Sequence, residues 1–228
     1  MAKNKNIKHE DSMQEVEQAL TKTEQFLENH LNLVLYVIGG IIVVILGVLG
    51  IQRYYVSPKN AEAQEQIYGA QNHFSKDSFN LALNGDGVSL GFLDIIDNYS
   101  STDAGKLAQY YAGISYLHLG DYEAAITHLK KFKTDDLLVA PLAQSALGDA
   151  YVELEEYNKA ITAYNKALKI SDNNFTSPSI LNKLALVYEK QGDTAKALEI
   201  YKQIKKDYPS SPDAVNVEKS IARIQQNM

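Results

Sequence analysis

The sequence predicts an all-α chain in which one membrane-crossing helix is followed by an α-solenoid of packed helix pairs. Two observations predict it. Residues 31–51, LNLVLYVIGGIIVVILGVLGI, run for twenty-one positions without a charge, and residues 105–210 carry three copies of one pattern of small and aromatic residues. At about 1.5 Å of rise per residue, the apolar run reaches roughly 31 Å as a helix, the thickness of a bilayer's hydrocarbon core.

Residues 1–30 precede the span as a tail. MAKNKNIKH is polar and predicts a disordered start. From Glu10 onward, Met13, Val16, Leu20, Thr23 and Leu27 recur at steps of three and four, the spacing of an amphipathic helix. Such a helix either docks a partner or leads, solvated, into the span. Four lysines against six acids give the tail a charge of −2, which argues against lying on anionic lipid.

The span at 31–51 is flanked by Asn29 and His30 on one side and by Gln52, Arg53, Tyr54 and Tyr55 on the other, a polar and aromatic belt. A cleaved secretory signal would need a basic start, a shorter apolar core and a small-residue cleavage site. Gly50-Ile51-Gln52 is a poor one, so the segment reads as an uncleaved anchor. Gly40 and Gly47 lie one heptad apart and offer a face for another membrane helix. Orientation stays open on charge, because Lys22 on one side against Arg53 and Lys59 on the other is too close a count to decide, with a slight lean against an inside N-terminus.

Residues 52–104 are expected to hold a linker helix and a degenerate repeat. Ala63, Ile67, Ala70 and Phe74 form one helical stripe within Asn60–Lys76. The glycine-rich stretch Asn84-Gly85-Asp86-Gly87 reads as a plain turn, since no Gly-Lys-Ser/Thr follows it and no strand precedes it. GFLDIIDNYS, from Gly91, looks like the second helix of a worn repeat.

In 105–210 the copies align as Gly113-x2-Tyr116-x3-Gly120-x-Tyr122-x2-Ala125, Gly148-x2-Tyr151-x3-Glu155-x-Tyr157-x2-Ala160 and Ala185-x2-Tyr188-x3-Gly192-x-Thr194-x2-Ala197. The small residue lets a first helix approach its partner, the tyrosine fills the space between helices, and the glycine turns the chain. This pattern resembles the tetratricopeptide repeat, including its closing proline at Pro209. Glu155 and Thr194 depart from it. Residues 211–228 then supply a capping helix to about Gln226.

Composition and motifs exclude several chemistries. The 228-residue chain has no cysteine, which removes disulfides, thiolate metal sites and cysteine nucleophiles. Its net charge of −6 and lack of a concentrated basic stretch argue against nucleic acid as partner. His9, His30, His73, His118 and His128 show no ligand spacing, and no GxSxG elbow occurs. No catalytic, cofactor-binding or metal-ligating residue is therefore expected.

The resemblance to tetratricopeptide repeats implies instead a protein-binding groove lined by the first helices: Tyr110, Ile114, His118, Ser145, Asp149, Glu153, Asn182, Leu186 and Glu189. This mix is apolar and acidic. Family members that capture a chaperone's C-terminal carboxylate use Lys and Asn here; Tyr110 and Ser145 replace them, and Asn182 alone matches. The plan of acidic tail, single span and repeats is also similar to the YfgM-like family of bacterial inner-membrane proteins, with LALNGDG and GFLDIID resembling its Bacteroidota members. That resemblance implies a cytoplasmic N-terminal tail, a periplasmic repeat domain and an ancillary role at the Sec translocon beside a membrane-anchored chaperone of the PpiD type, acting on translocated client polypeptides. An envelope-assembly scaffold and a stand-alone holdase-like chaperone are the alternatives.

Overall fold

The computed structural model describes residues 30–226. The expected disordered start and the amphipathic helix over 10–29 lie outside the described residues. The chain divides after Pro58 into two units. In the first, α1 (Leu31–Ile51) is followed by a π-helical turn at Gln52–Val56. None of the α1 side chains is buried; Leu35, Leu46 and their apolar neighbours are exposed. This helix is long and apolar enough to cross a membrane, where it would satisfy its own backbone hydrogen bonds.

The second unit, whose described residues form helices joined by turns and loops, begins within α2 (Ser57–Phe74) and continues with α3 (Phe79–Asn84) and α4 (Phe92–Tyr99). The helix expected as a linker also packs inside this unit. Ala63, Ile67 and Ala70 of α2 are buried in one cluster with Phe92, Ile95, Tyr99 and Ala108, so this helix is part of the domain's core. Tyr99 Oη donates to Glu62 Oε1 at 2.8 Å, a polar tie beside the apolar one. The stripe read from the sequence was real, but its amphipathic spacing could not say what the stripe would pack against.

The glycine-rich stretch is a turn, as expected. Asp86 Oδ1 accepts from the backbone N–H groups of Val88 (2.9 Å) and Ser89 (2.7 Å), and His73 Nε2 lies 3.1 Å from its other oxygen. The Ser89 and Val88 amides, with His73 third, hold the Asp86 carboxyl at about 2, because each favours the ionised form.

Three helix pairs follow: α5 (Asp103–Leu119) with α6 (Tyr122–Lys131), α7 (Val139–Glu153) with α8 (Tyr157–Ile170), and α9 (Ser177–Lys190) with α10 (Thr194–Asp207). The first and third pairs turn on glycine, with Gly120 at φ 81° and Gly192 at φ 83°. The aspartate after each glycine caps the next helix: Asp121 Oδ1 accepts from Ala124 N and Asp193 Oδ1 from Lys196 N, both at 3.1 Å. This two-residue unit therefore ends one helix and starts another. In the second pair Glu155 takes the same left-handed conformation at φ 58°, at the steric disadvantage any Cβ carries there.

Within the pairs, small residues stand where helices touch. Ala125, Ala160, Ala185 and Ala197 are all 0% exposed. A Cβ added at Gly148 would come within 2.5 Å of the Tyr164 ring, and one at Gly113 within 2.6 Å of Leu129 Cγ. Large side chains fill the space this leaves: Leu129, Tyr164 and Ile180 are almost wholly buried, each worth about 1.5–3 kcal/mol of transfer from water. Finally α11 (Pro212–Gln226) buries Ala214, Val217 and Ile224 against the third pair. Its start is capped by Ser211 Oγ, which accepts from Ala214 N at 3.1 Å. The helix is described as far as Gln226, the last described residue.

Candidate functional site: a cleft between first helices

The first helices of the second and third pairs, α7 and α9, enclose a cleft of about 300 Å³. From α7 come Asp149, Val152 and Glu153, and from α9 Lys183, Leu186 and Lys190. These positions share a face because 149, 152 and 153 on one helix and 183, 186 and 190 on the other recur at three- and four-residue steps. Glu153 and Leu186 are both exposed, Leu186 at 47%. An apolar side chain so open beside a carboxylate is a feature of a contact surface rather than of a core.

Behind that rim lies a fixed polar network. Tyr164 Oη reaches from α8 and donates to Asp149 Oδ1 at 2.7 Å. Lys183 Nζ donates to Asp149 Oδ2 at 2.6 Å and reaches Ser145 Oγ at 3.5 Å. Burial, and then the Asp149 charge, push the Tyr164 phenol far above its ordinary range, so it stays a donor. The network ties α7, α8 and α9 together across a repeat boundary.

These contacts sort the residues expected to line the groove. Ser145 is buried, with 4% of its surface exposed, so it offers nothing to a ligand. Asp149 is half-buried and already holds two donors. Glu189 accepts from Tyr201 Oη at 2.7 Å and from Arg223 Nη2 at 3.0 and 2.7 Å, which takes a second carboxylate out of the acidic surface. Asn182, the one match to the carboxylate-capturing pattern, donates its amide to Asp213 Oδ1 at 3.2 Å. Of the nine expected residues, Asp149, Glu153 and Leu186 come together in this cleft.

The other three lie toward the N-terminal end of the array. Tyr110 packs its ring on Tyr111 (5.6 Å between centroids) and Phe132 (5.4 Å), and burial raises its phenol above the usual value. Ile114 packs on the central cluster. His118 is exposed and stacks on Phe79 at 4.3 Å, an aromatic partner supplied by α3. Sequence reasoning missed Lys183 and Tyr164. A signal for the first existed: Lys183 stands in register with Ala146, a buried position of the second copy, and a lysine at such a position calls for a nearby carboxylate.

Nothing in the arrangement points to catalysis. Among the described residues no three His, Asp or Glu side chains are grouped to hold a metal ion.

Comparisons with known proteins identify the architecture. Residues 148–192 match the family described as TPR repeat, and residues 107–136 and 183–211 the one described as tetratricopeptide repeat. No curated protein sequence matches the chain. The crystal structure of MamA protein is similar over 72% of this chain and 81% of that one, with a TM-score of 0.58 and 21% identity. The nearly identical TPR-like repeats of a candidate kinesin light chain from Podosopora anserina are similar over 73% of this chain and 87% of theirs, with a TM-score of 0.59 and 14% identity. At these identities the likeness concerns the fold. The array is a tetratricopeptide-repeat solenoid, an architecture of protein-interaction modules.

Proposed function

We propose that this chain is a membrane-anchored protein-interaction module that works as an ancillary subunit of the Sec translocon, beside a periplasmic chaperone of the PpiD type. In this reading α1 crosses the bacterial inner membrane, the tail lies in the cytoplasm and the repeats lie in the periplasm, where they engage the chaperone or emerging client polypeptides. The observation that carries the binding part is the cleft between α7 and α9, in which exposed Leu186 and Glu153 stand over a rigid Tyr164–Asp149–Lys183 floor. A preorganised floor lowers the ordering cost of binding, and the anchor raises the local concentration of a membrane partner without adding a contact. The translocon assignment rests on the plan of tail, span and repeats that resembles the YfgM-like family.

Crosslinking in native membranes tests this. The substitutions belong on the exposed rim, Glu153→Lys with Leu186→Glu, because Asp149 is structural and replacing it would perturb the fold. Wild type is expected to recover translocon and chaperone peptides, and the double variant clearly fewer. Equal recovery would remove the cleft as the binding surface. Recovery of neither partner from wild type would end the translocon assignment, and barrel-assembly factors in their place would move the reading to an envelope scaffold. Reporter fusions at residue 8 and after residue 228 check the topology: periplasmic activity from the first alone would reverse it.

A further inference from the structure

The opposite side of the array, formed by the second helices, has two clefts at equivalent positions. One lies between α6 and α8 over α7 and measures about 320 Å³; the next lies between α8 and α10 over α9 and measures about 360 Å³. Their floors agree in register, Leu147 and Tyr151 in the first and Leu184 and Tyr188 in the second. Their rims do not. Lys130, Lys133, Lys159 and Lys166 surround the first, whereas Asn165, Leu168, Lys196 and Gln203 take those places in the second, and Glu199 replaces Thr162. The second cleft shows that the fold requires the Leu and Tyr floor and does not require the lysines.

Four ammonium groups around one cleft repel one another, in a chain whose net charge is −6. Lys159 has a carboxylate partner, Glu156 at 2.8 Å; among the described residues no carboxylate pairs with Lys130, Lys133 or Lys166. Lys130 and Lys159 hold their Nζ atoms 5.6 and 5.5 Å from the centroid of the Tyr151 ring, so the charges overhang the apolar floor instead of pointing away from it. Such a site suits a ligand with carboxylates at its edges and an apolar group at its centre. A small inorganic anion would leave Leu147 and Tyr151 uncovered. A long polyanion would need the basic track to continue, and the neighbouring cleft presents Glu199.

We propose that the α6–α8 cleft docks an acidic peptide segment of a partner protein, with carboxylates on Lys130, Lys133 and Lys166 and an apolar side chain on Leu147 and Tyr151. This site is separate from the α7–α9 cleft and does not depend on the translocon reading.

The test uses the full chain in detergent micelles and the fluorescence anisotropy of a labelled peptide in which glutamates flank a central phenylalanine. Wild type is expected to bind, more weakly as salt rises. Lys130→Asn with Lys166→Gln, the residues that the second cleft carries at those positions, should weaken binding about tenfold, in line with two rim charges. The melting temperature should be unchanged. Lys196→Gln and the rim pair Glu153→Lys with Leu186→Glu should leave the affinity as it is. Transplanting the rim by Asn165→Lys, Glu199→Thr and Gln203→Lys should add a second peptide site. Absence of binding by wild type, or equal affinity in the Lys130/Lys166 variant, overturns the proposal. Equally effective competition by inorganic phosphate overturns the peptide in favour of a small anion.

Discussion

The two ends of α4 and the interiors of the helix pairs both use glycine to bring chain segments close, but they set different things against it. In the pairs the obstacle to a Cβ is a side chain, Leu129 opposite Gly113 and the Tyr164 ring opposite Gly148. At the two ends of α4 it is backbone, whereas Gly69 of α2 again meets a side chain, that of Ser89. A Cβ on Gly105 would lie 2.0 Å from the Tyr99 carbonyl oxygen, and one on Gly91 2.2 Å from that of Leu83. The Tyr99 carbonyl is itself held by the Thr102 N–H at 2.9 Å and the Thr102 hydroxyl at 2.7 Å. A ring can rotate out of the way, whereas a hydrogen-bonded carbonyl moves only with its helix. The difference teaches that the contacts inside the pairs have some tolerance built into them, and that the two ends of α4 have little.

The largest expected effect tests that contrast directly. Gly105→Ala should destabilise the unit by about 3 kcal/mol, the upper end of the overpacking range, and Gly148→Ala by roughly 1–2 kcal/mol. Urea unfolding of the full chain in micelles, followed by circular dichroism, measures both. Equal losses would break the distinction between backbone and side-chain obstacles.

Tyr164→Phe comes next. Removing the hydroxyl deprives Asp149 of one of its two donors while Lys183 remains, a loss of about 1 kcal/mol. It also frees the ring that Gly148 abuts. Gly148→Ala should therefore cost less in the Phe background than in wild type, a coupling that a double-mutant cycle reads.

A smaller change of opposite sign is expected at the second turn. Glu155→Gly should raise stability by roughly 0.5 kcal/mol, because glycine takes a positive φ without the Cβ penalty. The same assay detects it as a shift of the urea midpoint, and a fall in stability would mean that the Glu155 side chain has a role the turn does not explain.

The smallest effect belongs to the N-terminal turn and is read by titration. The Asp86 carboxyl lies at about 2 against an ordinary 3.8. Its folded value is depressed, so its contribution is fully present above the ordinary value and is lost as pH falls toward about 2. Carboxyl NMR should place its midpoint near the lower value, and a midpoint at the ordinary one would show that the Val88 and Ser89 amides do not hold it.

Much of this architecture was legible in the residues. The three pairs, their turns at Gly120, Glu155 and Gly192, the buried alanines and the capping helix all follow from spacings within about forty residues, the scale on which a repeat writes its own packing. The apolar helix was equally plain. Less of the candidate site was readable. Side chains that looked alike along the first helices met different fates: Glu153 and Leu186 are open, Ser145 is buried, and Asp149 and Glu189 are taken by Lys183 and Arg223.

What the sequence by itself determined is the helical content, the repeat register and the presence of a helix apolar enough for a membrane, since each depends on periodicity along one stretch of chain. Tertiary structure alone decided that α2 belongs to the core, which carboxylates are neutralised, and that four lysines rim one cleft, two of them over the Tyr151 ring. Those outcomes depend on groups from different helices meeting in space. Lys183 is thirty-four positions from Asp149 and Arg223 thirty-four from Glu189, and no periodicity along a single helix specifies which polar partner the next helix will bring.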